Sequence, residues 1–336
     1  SFDSMNVNNQ VLQTWDFVAG NASVVEDDSH GMNCLSTIAG NIPGSFVGNA
    51  PKANFVLYRT EDPANEYPIE EHNWVSGLER ADSTGVDIAS TSLGYTTFDN
   101  ATFDHTYSQM NGRTTIAAKG AVFANRKGML LFVAAGNDGN NSWKYISTPA
   151  DADSLVTVGA VTTSGTVGSF SSYGPSADGR VKPEVAAVGV NAYVQNANNT
   201  IGTGNGTSFA CPKMAGLGTC LWQGFPEFNN IVVRDALIKS GNQFATPNDR
   251  IGYGVPDVKK AFVNLLNRYA KITSASITNC RTSINFITKD VNGMKLEFER
   301  MLPGQTAYTK IAEMQGTGLV LNNKSYTYLD TLTNAQ

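Results

Sequence analysis

Residues 130–140, LLFVAAGNDGN, constrain the fold more than any other stretch of the chain. The run is too short for a buried helix and closes on Gly136, Asn137, Asp138 and Gly139, so it reads as a strand buried on both faces. Flanking segments extend the pattern. Residues 55–59 and 85–91 are strand-like, whereas Trp74, Leu78 and Ala81 recur at helical spacing within 69–82, and 116–127 reads as a helix. Alternation of this kind predicts an α/β fold with a doubly wound parallel sheet. The 336 residues include 41% apolar and only 16% charged positions, which fits a compact α/β enzyme with room for a second, smaller domain. Net charge is −5 without a basic cluster, which argues against nucleic acid as a partner. The longest apolar run, 129–135, is far too short for a membrane helix.

Three polar residues sit where such a sheet gathers its ligands. In GNGTSFACPKMAG, residues 204–216, a tight turn delivers Ser208 to the first turn of a buried helix. Backbone N–H groups there lack helical partners and can face an anion. In SHGMNCLSTIAG, residues 29–40, His30 stands at a helix start. Asn137 lies just past the carboxyl end of the 130–134 strand and offers a neutral NH2 donor. With the Ser208 N–H it forms a candidate two-donor oxyanion hole, while Ser208 and His30 are the components of acyl transfer.

His-Gly-Met, then AAGN, then GTSxAxP, in that order, resembles the subtilisin-like serine peptidases (subtilases). Ser92, Leu93 and Gly94 resemble the segment that pairs with substrate backbone in that family. Residues 148–161 resemble the strand behind the P1 pocket, with Thr148-Pro149 where a cis peptide is common. Residues 169–189 and 252–262 resemble two further blocks, and the likeness covers roughly residues 2–268. It implies a serine endopeptidase with Ser208 as nucleophile, His30 as general base and Asn137 in the oxyanion hole. Ser92 to Gly94 and Ala134, Ala135 and Gly136 would bracket the P1 side chain, with Ser147 as the pocket floor. Protein or peptide is the implied substrate, and a secreted or cell-surface location follows from the resemblance alone. No cofactor is required; structural calcium is allowed, but no metal ligands are assigned.

One departure stands out. The family order is Asp, His, Ser, yet no apolar run precedes the first carboxylate, Asp3. Met5 also replaces the glycine expected after Asp3-Ser4. Asp27 and Asp28 lie too near His30 and read as helix-start acids. The expectation is that the chain starts partway into its catalytic domain. The Asp would lie on an upstream segment, present as a nicked fragment or propeptide partner. Loss of that central strand would leave unpaired backbone groups at about 1–3 kcal/mol each. The rival reading is a non-catalytic, peptide-binding pseudoprotease. An α/β-hydrolase esterase is disfavoured, because Ser208 lacks a G-x-S-x-G elbow and the histidine precedes it.

Cys34, Cys211 and Cys220 fall on expected buried helices and Cys280 in the tail, without zinc spacing. Cys34 occupies the place of the thiol beneath the histidine in proteinase K-like subtilases; read from the residues alone it is a small buried hydrophobe. His72 and His105 have no motif context. Residues 95–113 read as a cleft-side loop. From 269 to 336 the pattern changes to short alternating runs separated by turns, which predicts an all-β sandwich resembling a fibronectin type III-like module.

Overall fold

The computed structural model describes residues 2–25, 28–279, 281–317 and 321–331, so Asp27 and Cys280 lie outside the described residues. The chain divides into two units, residues 1–261 and 262–336.

The first unit begins with α1 (Asp3–Val7), β1 (Val11–Asp16) and α2 (His30–Ala39). A small hairpin of β2 (Asn41–Ile42) and β3 (Phe46–Val47) leads to β4 (Phe55–Arg59). Next come α3 (Ile69–Thr84), β5 (Ile88–Thr91), α4 (Ile116–Arg126), β6 (Leu130–Ala134) and β7 (Val156–Val161). The hairpin of β9 (Ala192–Gln195) and β10 (Ile201–Gly204) follows β8 (Val185–Val188), and α5 (Thr207–Gly224) and α6 (Asn230–Lys239) come after it. The division between units falls within α7 (Val258–Tyr269).

Strands β5, β6, β7 and β8 form a parallel sheet in that order. Helices cover both of its faces, as the β6 side chains show. Leu131 and Val133 pack with Trp74 and Leu78 of α3 and Ala117 and Ala121 of α4. Between them Phe132 points the other way, against Gly218 of α5, where a Cβ would come within 2.6 Å of the ring. Successive strand residues face opposite sides, so a strand buried on both faces must be apolar throughout. Every residue of β6 and β7 is buried.

The parallel sheet does not run on into β4. Strands β1 and β4 pair in parallel with each other as a separate two-stranded sheet, and β4 is not hydrogen-bonded to β5. Both are nevertheless held under the same helix. From α3, Asn73 donates to the Thr60 carbonyl just past β4 (3.3 Å), and Trp74 Nε1 donates to Thr91 Oγ1 at the end of β5 (3.3 Å). All five β4 residues are half-buried, and Ser90 on β5 is exposed. Among the described residues, the edges of β4 and β5 away from β1 and β6 carry no ladder.

Behind the 147–152 segment lies a buried ionic cluster. Lys182 is wholly buried and donates to Ala152 O (2.8 Å), Thr157 Oγ1 (2.9 Å) and Glu184 Oε1 (2.8 Å). Glu184 also accepts from Thr157 N (2.7 Å) and Arg234 (3.3 Å).

The second unit holds two antiparallel sheets. One orders β11 (Lys271–Thr278), β12 (Arg281–Asp290) and β15 (Asn322–Thr331); the other pairs β13 (Lys295–Arg300) with β14 (Thr309–Gln315). Phe298 of the second sheet packs on Phe286 (5.3 Å) and Tyr328 (4.2 Å) of the first.

Candidate active site

Ser208 is the second residue of α5, after the N-cap Gly206, and its side chain is almost fully buried at 7% exposure. Among the described residues its N–H has no hydrogen-bond acceptor, as expected for a first-turn donor. Its hydroxyl reaches the Ser92 carbonyl at 3.5 Å, while Ser92 Oγ donates to the Ser208 carbonyl at 2.9 Å.

Asn137 lies three residues past β6, and its amide is oriented by α5. Oδ1 accepts from Thr207 N (2.9 Å) and from Thr207 Oγ1 (3.1 Å). That fixes which end is oxygen and leaves Nδ2 without a hydrogen-bond partner among the described residues. Thr207 Oγ1 also meets Gly136 on both sides, accepting from its N–H (3.2 Å) and lying 3.1 Å from its carbonyl. Sequence reasoning missed this positioning role. The only signal was a threonine directly before the serine.

His30 opens α2, where Asp28 Oδ1 accepts its backbone N–H at 2.7 Å. Asp28 is thus bonded to the helix start, as expected of a helix-start acid. The imidazole remains exposed over much of its surface yet leans on Phe209, with ring centroids 6.2 Å apart. Partial desolvation lowers its pKa below the ordinary value, and Asp28 pulls it the other way. Cys34, one turn on, touches both His30 and the Ser208 backbone. Its sulfur lies 3.7 Å from His30 Nε2 and donates to the Ser208 carbonyl at 3.3 Å. Burial pushes this thiol up to about 12, so it stays neutral and is no rival nucleophile.

Two bonds are absent among the described residues: neither the Ser208 hydroxyl nor any carboxylate is hydrogen-bonded to the His30 ring. Asp16, at the end of β1, is fully engaged elsewhere. Its Oδ1 accepts from Val18 and Ala19 N–H, and its Oδ2 pairs with Arg59 at 2.8 Å.

The expected substrate-binding segments lie side by side. Gly94 approaches Ser147 so closely that a Cβ there would overlap the serine hydroxyl, and Tyr95 exchanges backbone bonds with Thr148. Gly136, at φ +104°, would place a Cβ 3.4 Å from the same hydroxyl. Ser92 and Leu93 precede Gly94 on the strand exit, and Ala134, the last residue of β6, is joined to Gly136 by the buried Ala135. The Thr148-Pro149 peptide is cis.

Outside this cleft, His105 pairs with the buried Glu71 at 2.7 Å and His72 is exposed. The cysteines need one correction. Cys34 and Cys211 are buried, but Cys220 is exposed: it lies on the outer face of α5, while its neighbour Leu221 remains buried at 3% exposure. No described group of three or more His, Cys, Asp or Glu side chains is arranged to hold a metal ion. No helix among the described residues is long and apolar enough to cross a membrane.

The family model described as "Subtilase family" matches residues 1–254. Subtilisin NAT of Bacillus subtilis subsp. natto is 31% identical over 236 residues, covering 68% of this chain and 56% of that protein. Serine protease AprX of Bacillus subtilis (strain 168) is 29% identical over 268 residues, covering 71% and 58%. The chain thus spans under two thirds of the length of these relatives. Among solved structures, the self-cleaved protease domain of PatA aligns with TM-score 0.57 at 23% identity, covering 71% of this chain and 83% of that one. MycP1 with its N-terminal propeptide removed aligns with TM-score 0.59 at 22% identity, covering 75% and 84%. At such identity these two structures speak to the fold.

Proposed function

The chain belongs to the subtilase family, and from that premise we propose that it is the larger part of a serine endopeptidase that hydrolyses peptide bonds through an acyl-enzyme on Ser208. The observation that carries the proposal is that Asn137 is held against Thr207, the residue before Ser208, by two bonds to its Oδ1, while its Nδ2 and the Ser208 N–H have no acceptor among the described residues. The hydroxyl attacks the scissile carbonyl and His30 takes its proton, then returns it to the leaving amine. The two donors stabilise the oxyanion. Ser92 to Gly94 align the substrate backbone, and Ala134 to Gly136 form the opposite wall of the P1 pocket.

The catalytic Asp belongs, on this reading, to an additional strand between β4 and β5. Two observations support it: the sheet is interrupted there, and no described carboxylate meets the His30 ring. One inserted strand would pair both open edges and bring an Asp toward the imidazole, fixing its tautomer. Without that Asp, the subtilisin value of about 3 × 10⁴ lost in kcat applies. A secreted or cell-surface location and a fibronectin type III-like role for residues 269–336 complete the proposal.

Intact-mass analysis before and after a fluorophosphonate probe tests it. The expected result is one adduct on Ser208, with a second, small polypeptide accompanying the chain. Folded protein of this chain's mass alone, without an adduct, would leave the peptide-binding pseudoprotease.

A further inference from the structure

Resting on the peptidase reading, we propose that Ser92 and Cys34 are positioning residues that set the nucleophile against its base, and that they act through the Ser208 carbonyl, which Pro212 leaves open to them. Inside an α-helix the carbonyl of one residue accepts from the N–H four residues on. Four residues after Ser208 in α5 stands Pro212, which has no N–H to give. The carbonyl next to the nucleophile's own Cα therefore lacks its regular helix partner. Ser208 is buried, and a carbonyl in such a place needs a donor from elsewhere.

Two side chains from outside α5 supply it. Ser92 Oγ donates to the Ser208 carbonyl at 2.9 Å and Cys34 Sγ at 3.3 Å. A carbonyl oxygen has two lone pairs and can take both. Burial pushes the Cys34 thiol up to about 12, so its proton stays available for donation. The donors come from the elements that matter to the reaction. Cys34 lies on α2, four residues after His30, and its sulfur is 3.7 Å from His30 Nε2. Ser92 directly follows β5, and its own carbonyl lies 3.5 Å from Ser208 Oγ. Ser208 is thus held at its carbonyl and met at its hydroxyl by Ser92, while the helix carrying the base holds the same carbonyl. An N–H at position 212 would occupy that oxygen from within α5 and weaken both ties. Placement of this kind shows in rate, since a misplacement of about 1 Å costs about 10².

The test uses protein that labels with fluorophosphonate, and separates the maximal labelling rate from the probe concentration that gives half of it. Ser92→Ala should lower the maximal rate about fivefold, the worth of one neutral hydrogen bond, with the half-saturating concentration nearly unchanged. Cys34→Ala should lower it about twofold, because a thiol is the weaker donor. Ser92→Thr and Cys34→Ser keep a donor and should recover much of each loss. Pro212→Ala supplies the missing N–H and favours the helix. Combining Ser92→Ala with Cys34→Ala should cost about tenfold beside Pro212 but only about two- to threefold beside Ala, because contacts that share one partner are not additive. Melting curves show which variants fold, and Cys34→Ala probes the junction independently should Ser92→Ala not fold. An equal loss in both backgrounds, or a loss confined to the half-saturating concentration, overturns the positioning role and leaves the peptidase standing. Failure of every unsubstituted preparation to label overturns the peptidase reading and this role with it.

Discussion

Replacing Thr207 with valine removes one hydroxyl and keeps the shape and the backbone N–H. Thr207 is wholly buried, and its two donors hold Asn137 Oδ1 at 2.9 and 3.1 Å. In Thr207→Val the shorter bond survives. The Asn137 amide loses its second restraint, and the Gly136 N–H, now 3.2 Å from Thr207 Oγ1, loses its acceptor. One neutral hydrogen bond is worth about 1 kcal/mol net, and a buried orphan donor adds about 1–3 kcal/mol against stability. Because the Nδ2 donor matters only once negative charge develops on the oxygen, the first of these should appear in the transition state. The expected outcome is a five- to tenfold fall in the second-order rate of fluorophosphonate labelling at Ser208, or of kcat with KM nearly unchanged. The melting temperature should also fall by a few degrees. Thr207→Ser restores the hydroxyl and should recover most of the rate. A Thr207→Val protein as fast as wild type, or one altered in KM alone, would refute the claim that Thr207 positions Asn137.

Asn137→Leu removes the donor itself and should lower kcat by about 10²–10³, a magnitude established within this family rather than worked from this structure; melting should hardly move. Lys182→Met leaves Glu184 with Arg234 and the Thr157 N–H but strips the Ala152 carbonyl of its donor. Breaking a buried pair costs about 3–5 kcal/mol, which thermal unfolding would register as a large drop. In this chain alone, His30 should titrate by NMR below the ordinary imidazole value of about 6.5, because desolvation disfavours the protonated ring. Supplying the Asp-bearing strand should move that midpoint upward, since a nearby carboxylate favours imidazolium. Iodoacetamide at pH 8 should modify Cys220 well before Cys34 and Cys211, whose buried thiols are both pushed up to about 12.

The α/β order was legible because buried parallel strands are apolar without interruption and their covering helices are not. Leu130 to Ala134 could hardly be anything else. The candidate site was legible through short-range signals: a serine at a helix start, a histidine at another, an asparagine after a strand. Contacts that join distant residues were not. Thr207 and Asn137 are separated by 70 positions, and a threonine before a helix looks like a cap. Nothing in the local sequence around Lys182, Glu184 and Arg234 joins them; the fold collects their charges behind the 147–152 segment. Cys220 misled because every residue of α5 from Thr207 to Pro212 is buried, whereas near its end only one face is, with Leu221 inside and Cys220 and Gln223 exposed.

The break between β4 and β5 is the centre of the account, and hydrogen exchange at the two strands addresses it most directly. In a preparation that labels at Ser208, the amides of residues 55–59 and 88–91 should exchange as slowly as those of β6 and β7, because a further strand pairs both edges. In this chain alone the same segments should exchange far faster than β6 and β7. Fast exchange at both segments in fully labelling protein would contradict the account, since the site would then work with the sheet still open.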